Sequence, residues 1–382
     1  MKHIFKLIFS ALLILTVAGG CDTDELHEMN INPNAVNTID VNYFLTAAEL
    51  SASNNGLRDD RYTDWRTNIG MCAHAIQQLA STSTGTISVG DKYLENDVEP
   101  SNAPWDHFFA GDGRVTYEII KQTGPGGYSE GAKKNTREAA RILRVLCFHR
   151  LTDWYGSIPY FEANRGVEGI FQPTYDKQKD IYLDLLKELD EACTLISSSN
   201  LDDGFSAADY YFDGDISKWK KFGYSLMLRL AMRISNVDLA TANTYVSKAV
   251  AGGVMSSNDD NVIATMALGP SEWANQNGIS RGFYPGDGGQ WSSSLLSKTF
   301  VDWLKGPDKT STADDDPRLT ILSPGIIEWT ANSVIYIETD PLKYEGLPNG
   351  LDGSMLNTLM GGATVPYEHF VAVNPLMMQD DE

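Results

Sequence analysis

Aromatic rings and amide side chains are concentrated in one long segment of the sequence, Gly269 to Trp291. Flat ring faces can stack on sugar rings or on apolar peptide groups, while short polar side chains fix the orientation of a ligand. We predict that the following residues of this segment bind ligand: Trp273, Asn275, Tyr284, Gln290 and Trp291. The same rings could instead anchor a long loop to the core, and the sequence favours neither interpretation. In that case Tyr93 and Trp105 are the next candidates.

The sequence contains none of the motifs that are typical of catalysis. A glycine-rich phosphate loop, a Gly-x-Ser-x-Gly elbow or a His-Glu-x-x-His motif would be visible in a single sequence, and none occurs. Of the six histidines, His3 lies in the predicted signal peptide and His27 in the predicted tether. The other four have no partner at ligand spacing and are expected to be structural: His74, His107, His149 and His369. We therefore predict no catalytic residue and no enzymatic activity.

Carboxylates occur in short runs beside turn residues, at 202–203, 213–215 and 314–316. Carboxylates near glycine turns suit calcium, but no run matches the twelve-residue calcium loop. Turn formation and helix capping explain the runs better, so no metal site and no cofactor is predicted, with structural calcium as the alternative. A glycosidase would need two carboxylates on opposite sides of a cleft. The chain has 51 acidic residues, and the sequence does not indicate which two would form such a pair.

The N-terminus has the layout of an export signal. Lys2 and Lys6 precede an apolar run from Leu7 to Ala18, which a Gly-Gly-Cys sequence follows. This run is shorter than the ~20 apolar residues of a membrane-spanning helix, which indicates a cleavable signal peptide. Because small residues before a cysteine resemble a bacterial lipobox, Cys21 is predicted to be the lipidation site. Ordinary cleavage near Gly20 is the alternative.

The predicted domain organisation is a signal peptide over 1–20, an acidic tether over 21–40 and one ligand-binding domain over 41–382. The full chain has 42% hydrophobic residues, and the last segment is long enough to bury a substantial core. The net charge of −21 disfavours binding to nucleic acid and to anionic lipid headgroups, because both carry negative charge. Neutral and cationic ligands remain open.

The segments that must position the predicted ligand-binding side chains show mostly helical periodicity. The clearest helix is predicted over 180–197, where apolar residues recur every three or four positions. Further helices are predicted over 136–151, after the possible caps Asp215 and Ser217, and from Asn236 or Asp238 to Gly252-Gly253. Consecutive helix pairs suggest a tetratricopeptide-like arrangement, in which each pair buries its face on the next.

The predicted fold class is thus mostly α, with tetratricopeptide-like helix pairs, long loop insertions and a minor β part. The loops are predicted over 81–104, 198–215 and 256–291, and their aromatic content indicates ordered surfaces. Residues 326–339 are rich in β-branched and aromatic side chains, which predicts one or two short strands. Cysteines 72, 147 and 193 lack metal or paired spacing and are expected to be buried free thiols.

Several blocks of the sequence carry a family resemblance. The most specific block runs from Arg141 to Tyr160 and ends in Asp-Trp-Tyr-Gly-Ser-Ile-Pro-Tyr. Further blocks follow in order at 175–192, 214–215 with 219–222 and 228–233, 253–255, 316–319 and 344–350. Together with the lipobox, they make the chain similar to the SusD/RagB family of outer-membrane nutrient-binding lipoproteins.

This resemblance implies four tetratricopeptide-like helix pairs as the scaffold and the loops as the ligand face. It also implies a lipid-anchored protein of the outer membrane that faces the cell exterior. Such a protein would capture a glycan or peptide ligand and pass it to a SusC-like TonB-dependent β-barrel. The matched blocks are scaffold positions, so they do not name the ligand.

Two other functions remain as alternatives at this stage. A surface glycoside hydrolase would need catalytic motifs, which are missing, and a helical-repeat scaffold that binds only protein would not need aromatic loops. The chain also departs from the family pattern, because family members usually continue beyond the position that matches Glu382 with further helices. It is therefore expected to be truncated at its C-terminus.

Overall fold

The computed structural model describes residues 38–53, 63–85, 88–94, 99–202, 204–265, 279, 294–330, 333–362 and 369–374. The chain divides into two units, Met1–Asp40 and Val41–Glu382. The first unit contributes only residues 38–40 to the described part. The signal peptide, the tether and the lipidated Cys21 lie outside the described residues, so these assignments stay predictions.

The described part of the second unit is mostly helical. Its α-helices are α1 Asn42–Ala52, α2 Glu99–Ala110, α3 Asp112–Thr123, α4 Lys134–Tyr155, α5 Gln178–Leu195, α6 Phe205–Ala208, α7 Ile216–Arg233, α8 Leu239–Gly252, α9 Lys298–Leu304, α10 Arg318–Leu322 and α11 Gly353–Leu359. A π-helix spans Thr63–Ala73, and short 3-10 turns cover Gly90–Lys92, Gly166–Glu168, Asn258–Asp260 and Pro341–Lys343. The strands are β1 Leu79–Ala80, β2 Leu295–Leu296, β3 Ile326–Thr330 and β4 Ser333–Glu338.

Side-chain caps fix where the central helices begin. The Asp215 carboxylate accepts from the backbone N–H of Ser217 at 2.8 Å, and Asp238 accepts from the N–H of Thr241 at 3.1 Å. These bonds satisfy N–H groups that have no partner within the helix. The predicted cap Asp215 is therefore confirmed, whereas Ser217 lies inside α7. Gly253, at a φ of 91°, ends α8 as predicted.

The long helices pack in the order in which they occur along the chain. Helix α3 packs on α4, α4 on α5, α5 on α7 and α7 on α8, while α1 covers α3 and α4. Their facing sides form one core around fully buried side chains such as Phe148, Leu185 and Trp219. Sequential stacking of this kind confirms the prediction of a mostly helical fold built from helix pairs.

The predicted loop 81–104 is wrong in its last part, because α2 already begins at Glu99. Pro104 lies inside this helix and has no N–H for the carbonyl of Pro100. The hydroxyl of Thr67 donates to that carbonyl at 2.6 Å instead. A side chain from the π-helix thus satisfies the group that proline leaves free, and this replacement cannot be inferred from α2 alone.

The β part confirms the strands predicted over 326–339. Strands β3 and β4 form an antiparallel hairpin, and β1 pairs antiparallel with β2 through Leu79 with Leu296 and Ala80 with Leu295. Around these strands lie two smaller apolar clusters, which include Leu79, Leu296 and Leu295. The β1–β2 pair joins the chain after the π-helix to the chain that follows residue 293.

The cysteine prediction holds for two of the three positions in the described part. Cys147 and Cys193 are buried free thiols, whereas Cys72 is only half-buried. Burial raises the pKa of the Cys193 thiol to about 12. The Cys193 thiol therefore stays protonated and packs as a small apolar group.

Candidate ligand-binding face

The five predicted ligand-binding residues, Trp273, Asn275, Tyr284, Gln290 and Trp291, lie outside the described residues. The structure does describe residue 294 and those that follow, where the chain enters β2, and it describes both alternative candidates, Tyr93 and Trp105. The candidate site is therefore built from the residues around β1, β2 and Tyr93.

Buried hydroxyl and imidazole groups connect the start of β2 to the segment before α2. The Ser294 hydroxyl lies 3.0 Å from the hydroxyl of Ser88 and 3.3 Å from Nε2 of His74. Nδ1 of His74 is 2.7 Å from the carbonyl oxygen of Ile69. Ser88, His74 and Ser294 are all almost fully buried, so this chain of polar contacts holds two distant segments in one register.

His74 is thus structural, as predicted. Burial is the main cause that lowers the pKa of His74, against the opposing effects of the Ile69 carbonyl and Asp91. A lowered pKa keeps the ring neutral at physiological pH. His74 therefore adds no positive charge to the buried polar contacts that join it to Ser88 and Ser294.

The turn Gly90–Lys92 packs against the π-helix that precedes His74. Asp91 is buried, pairs with the Lys92 ammonium at 2.8 Å and accepts from the N–H of Gly350 at 3.1 Å. A Cβ on Gly90 would come within 2.2 Å of the Met71 carbonyl oxygen, so only glycine fits against the π-helix here. The turn is therefore fixed from both sides, with its two charges neutralising each other.

Tyr93 ends this turn with its ring in solvent. Its side chain is 76% exposed, and its φ of 51° places it in the left-handed region. A bulky residue rarely adopts this conformation, and such strain is common at functional sites. Gln77 and Ser88, at φ values of 60° and 61°, share the same unusual conformation. The fold thus presents an exposed aromatic ring on a turn whose backbone is fixed.

The Tyr93 hydroxyl lies 3.4 Å from the carbonyl oxygen of Ala75, which places the ring beside the segment that carries Ile76 and Gln77. Ile76 is 66% exposed and Leu94 is 45% exposed. The Gln77 side-chain oxygen accepts from the Thr299 hydroxyl at 2.9 Å, which joins this segment to α9. We call residues Ile76, Gln77, Tyr93, Leu94 and Thr299 the Tyr93 face. It carries ring, aliphatic, amide and hydroxyl groups and no ionised side chain.

Trp105, the second alternative, is a packing residue. Its ring is half-buried and contacts Phe109 at 4.8 Å, Tyr155 edge-on at 5.3 Å and Tyr175 in a stacked geometry at 6.0 Å between centroids. These contacts fix α2 against the end of α4. Of the two alternatives, Tyr93 is therefore the one that is available to a ligand.

The most specific sequence block, Arg141 to Tyr160, serves the fold. The Arg144 guanidinium lies over the rings of Phe148 and Tyr160, at 4.7 and 4.5 Å from their centroids, and pairs with Glu188 of α5 at 2.6 Å. Arg141 pairs with Glu191 of the same helix. Arg141 and Arg144 thus join α4 to α5, and both are paired with carboxylates.

The turn after α4 is equally structural. Gly156 has a φ of 73°, and its N–H donates to the Thr152 carbonyl at 2.8 Å. Two backbone N–H groups, those of Tyr160 and Phe161, donate to the Asp176 carboxylate at 3.0 Å each. The block therefore fixes the chain between α4 and α5.

The acidic runs act as caps and turn-formers in the described part of the chain. Asp215 caps α7, Asp316 pairs with Arg318, and Asp202 accepts from the N–H of Thr136 near the start of α4 at 2.9 Å. Among the described residues, no group of three or more histidine, cysteine or acidic side chains could hold a metal ion. The absence of a cofactor stays a prediction, as does the alternative of structural calcium.

Comparisons with known proteins fit this arrangement. The profile of the SusD-like family described as "Starch-binding associating with outer membrane" matches residues 33–377. The chain therefore belongs to the SusD-like family, which confirms the resemblance seen in the sequence. No curated protein sequence matched the chain. Within the described residues, no helix is long and apolar enough to cross a membrane.

Solved structures show the same fold. A chitin-binding protein is similar at 30% identity and a TM-score of 0.68, with 89% of this chain and 65% of that chain covered. A SusD-like protein named Bacteroidetes AC2a is similar at 22% identity and a TM-score of 0.70, with 89% and 68% covered. A chitin-binding SusD homologue from Flavobacterium johnsoniae has 20% identity and a TM-score of 0.63, with 88% and 61% covered. The chain thus spans about two thirds of the length of these relatives.

Proposed function

We propose that this protein is a cell-surface lipoprotein that captures a neutral oligosaccharide through the Tyr93 face. The observation that carries the proposal is the exposed Tyr93 ring, which stands on a turn whose backbone is fixed by buried polar contacts. A ring on a fixed backbone loses less conformational freedom when a ligand stacks on it than a ring on a mobile one, which favours binding. The lack of ionised groups on this face fits an uncharged ligand.

The ligand class that we propose is an oligosaccharide of N-acetylglucosamine. A chitin-binding protein is the relative with 30% identity, and the acetamido methyl group of such a sugar can contact aliphatic side chains such as Ile76 and Leu94. Its amide can exchange hydrogen bonds with the amide of Gln77. A peptide, which the sequence left open, would offer fewer flat apolar faces to a single exposed ring.

The predicted residues Trp273, Asn275, Tyr284, Gln290 and Trp291 belong to the same proposal. They precede Ser294 in the chain, and Ser294 contacts His74 and Ser88 at the base of the Tyr93 face. Rings and amides from that segment would add stacking platforms and hydrogen bonds of the kind that Tyr93 and Gln77 already offer. We propose that they complete the binding site.

We further propose that the captured ligand passes to a SusC-like TonB-dependent β-barrel in the outer membrane, with Cys21 as the lipid anchor. The family description, which associates starch binding with the outer membrane, supports this location. Because the sequence has no catalytic motif, the proposed function is binding and not bond cleavage. No cofactor is needed for it.

A pair of tyrosine variants tests the binding face. Tyr93 and Tyr43 are 76% and 75% exposed, but Tyr43 lies on α1 in ordinary helical conformation. Tyr93→Ala should weaken binding of a chitin oligosaccharide by about fivefold, since one ring contact contributes ~1 kcal/mol. Tyr43→Ala should leave the Kd unchanged. The measurement is isothermal titration calorimetry, with a thermal melt to show that both variants are folded.

Two results would contradict the assignment of the Tyr93 face. One is a folded Tyr93→Ala variant with the affinity of the parent protein. The other is equal weakening in Tyr93→Ala and Tyr43→Ala, which would mean that binding responds to any loss of an exposed ring.

A further inference from the structure

Two acidic side chains lie buried together where α1 meets the turn before α7. Glu49 of α1 is fully buried, and Asp209 is 2% exposed. Within the residues that the structure describes, neither carboxyl forms an ion pair with a lysine, arginine or histidine. Two negative charges in contact in a protein interior repel each other strongly, and burial adds a large desolvation cost. The two groups are therefore not both ionised.

The hydrogen bonds of Asp209 show that it is the acceptor of the pair. Its Oδ1 accepts from the N–H groups of Tyr211 and Phe212 at 3.2 and 3.1 Å. Its Oδ2 accepts from the N–H of Gly214 and from Nε1 of Trp219, both at 2.8 Å. Both oxygens of this carboxylate therefore act as acceptors, and each already has two donors.

Glu49 has the opposite environment. Its Oε2 accepts one bond, from the N–H of Tyr210 at 2.8 Å, and its buried Oε1 has no hydrogen-bond partner among the described residues. A buried oxygen without a partner is costly, whereas a protonated Oε1 can donate to the neighbouring Asp209. The geometry therefore assigns the proton to Glu49.

We propose that Glu49 and Asp209 share one proton, and that this hydrogen-bonded pair stabilises the contact between α1 and the 209–214 turn in a pH-dependent way. Burial, and next the charge of Asp209, raise the pKa of Glu49 to about 10. The same contact region is reinforced by the Tyr211 hydroxyl, which donates to the Glu49 carbonyl at 2.6 Å. Because Trp219 donates to Asp209, the pair also fixes the start of α7.

Other titratable and charged groups face this region from the elements packed around it. Tyr211 lies on the turn itself, Asp112 on α3, and Cys147 and Arg150 on α4. Burial raises the pKa of the Tyr211 hydroxyl, so Tyr211 stays neutral throughout the pH range below. The negative charges of Asp112 and Cys147 also raise the pKa of Tyr211. Arg150 donates to the Ala52 carbonyl at the end of α1. None of them supplies a cation to Glu49.

The direction of the pH effect follows from the raised pKa. The unfolded chain ionises Glu49 near its ordinary pKa of 4.5, whereas the folded protein keeps the proton to about 10. The stabilising contribution of the pair is therefore complete below about pH 4.5 and is lost as the pH rises from there to about 10. Each pH unit in that window multiplies the unfolding equilibrium constant by about ten.

The test compares Glu49→Gln with Glu345→Gln. The amide at position 49 can accept from Tyr210 and donate to Asp209, so it reproduces the hydrogen bonds of the protonated acid without titrating. Glu345 is exposed and serves as the matched control. Urea unfolding of the full chain, at several pH values from about 5 to about 9, gives the unfolding constants of the parent and both variants.

The ratio of the parent constant to the Glu49→Gln constant should rise about tenfold per pH unit, whereas the ratio to Glu345→Gln should stay flat. A ratio to Glu49→Gln that does not change with pH would overturn the proposal, as would failure of Glu49→Gln to fold. A second measurement needs only the parent and this variant. Infrared spectra at about pH 8, where ordinary carboxyls are ionised, should show a protonated-acid carbonyl band in the folded parent, and absence of this band would also overturn the proposal.

Discussion

Replacing Gly156 with valine isolates the strain of a single backbone position. Gly156 ends α4 at a φ of 73° and a ψ of −113°, a conformation that only glycine adopts readily. A Cβ at this position would meet no atom within 4 Å. Any loss of stability in Gly156→Val therefore arises from the backbone conformation and not from a clash.

The expected loss is about 2–3 kcal/mol. Residues forced into sparsely populated backbone regions cost ~1–3 kcal/mol each, and a β-branched side chain lies at the upper end of this range because its rotamers are restricted. If the chain relaxes to avoid the strain, it must break the bond from the Gly156 N–H to the Thr152 carbonyl, which is 2.8 Å long. Such a bond contributes about 1 kcal/mol, so relaxation does not remove the penalty.

Gly166→Val is the matched control, because a Cβ there also meets nothing within 4 Å while the backbone φ is not positive. Urea unfolding monitored by circular dichroism should show a lower midpoint for Gly156→Val, with a change below about 0.5 kcal/mol for Gly166→Val. Equal midpoints for the two variants would refute the strain argument. Loss of ligand binding with normal stability in Gly156→Val would refute the assignment of this block to the fold.

Two further predictions concern His149 and Cys21. Burial lowers the pKa of His149 to about 4 despite the attraction of Asp153, so the folded protein should lose stability relative to His149→Gln as the pH falls from about 6.5 to about 4. The loss should reach ~3 kcal/mol, and parallel pH profiles in urea unfolding would contradict it. Cys21→Ala should leave the protein unlipidated and outside the membrane fraction. Unchanged fractionation, with an unmodified cysteine in the parent by mass spectrometry, would show that Cys21 is not the anchor.

Helix existence and helix starts could be predicted from the sequence, because their causes are local. Asp215 and Asp238 cap helices within three residues of themselves, and apolar spacing marks the faces that pack. The start of α2 was missed for the opposite reason. Pro104 is tolerated there because Thr67 serves the free Pro100 carbonyl, and that contact joins residues far apart in the sequence.

The candidate site could likewise be predicted only where its causes are local in the sequence. Tyr93 could be proposed from the sequence as an aromatic residue in a polar loop. Its positive φ and the close approach of Gly90 to Met71 could not, because both depend on how the turn packs against the π-helix. Likewise, the contact of His74 with Ser294 spans 220 residues and has no sequence signature. The predicted residues from Trp273 to Trp291 lie outside the described part, so their role stays a proposal.

Titration of the purified parent protein with neutral oligosaccharides tests the central claim most directly. Chitin oligosaccharides, starch-derived maltooligosaccharides and a set of short peptides would be compared by calorimetry, with assay of reducing ends after each titration. Saturable binding of a chitin oligosaccharide, stronger than that of the peptides and without release of reducing ends, is the predicted result. Binding of peptides alone, or cleavage of any of the sugars, would contradict the account.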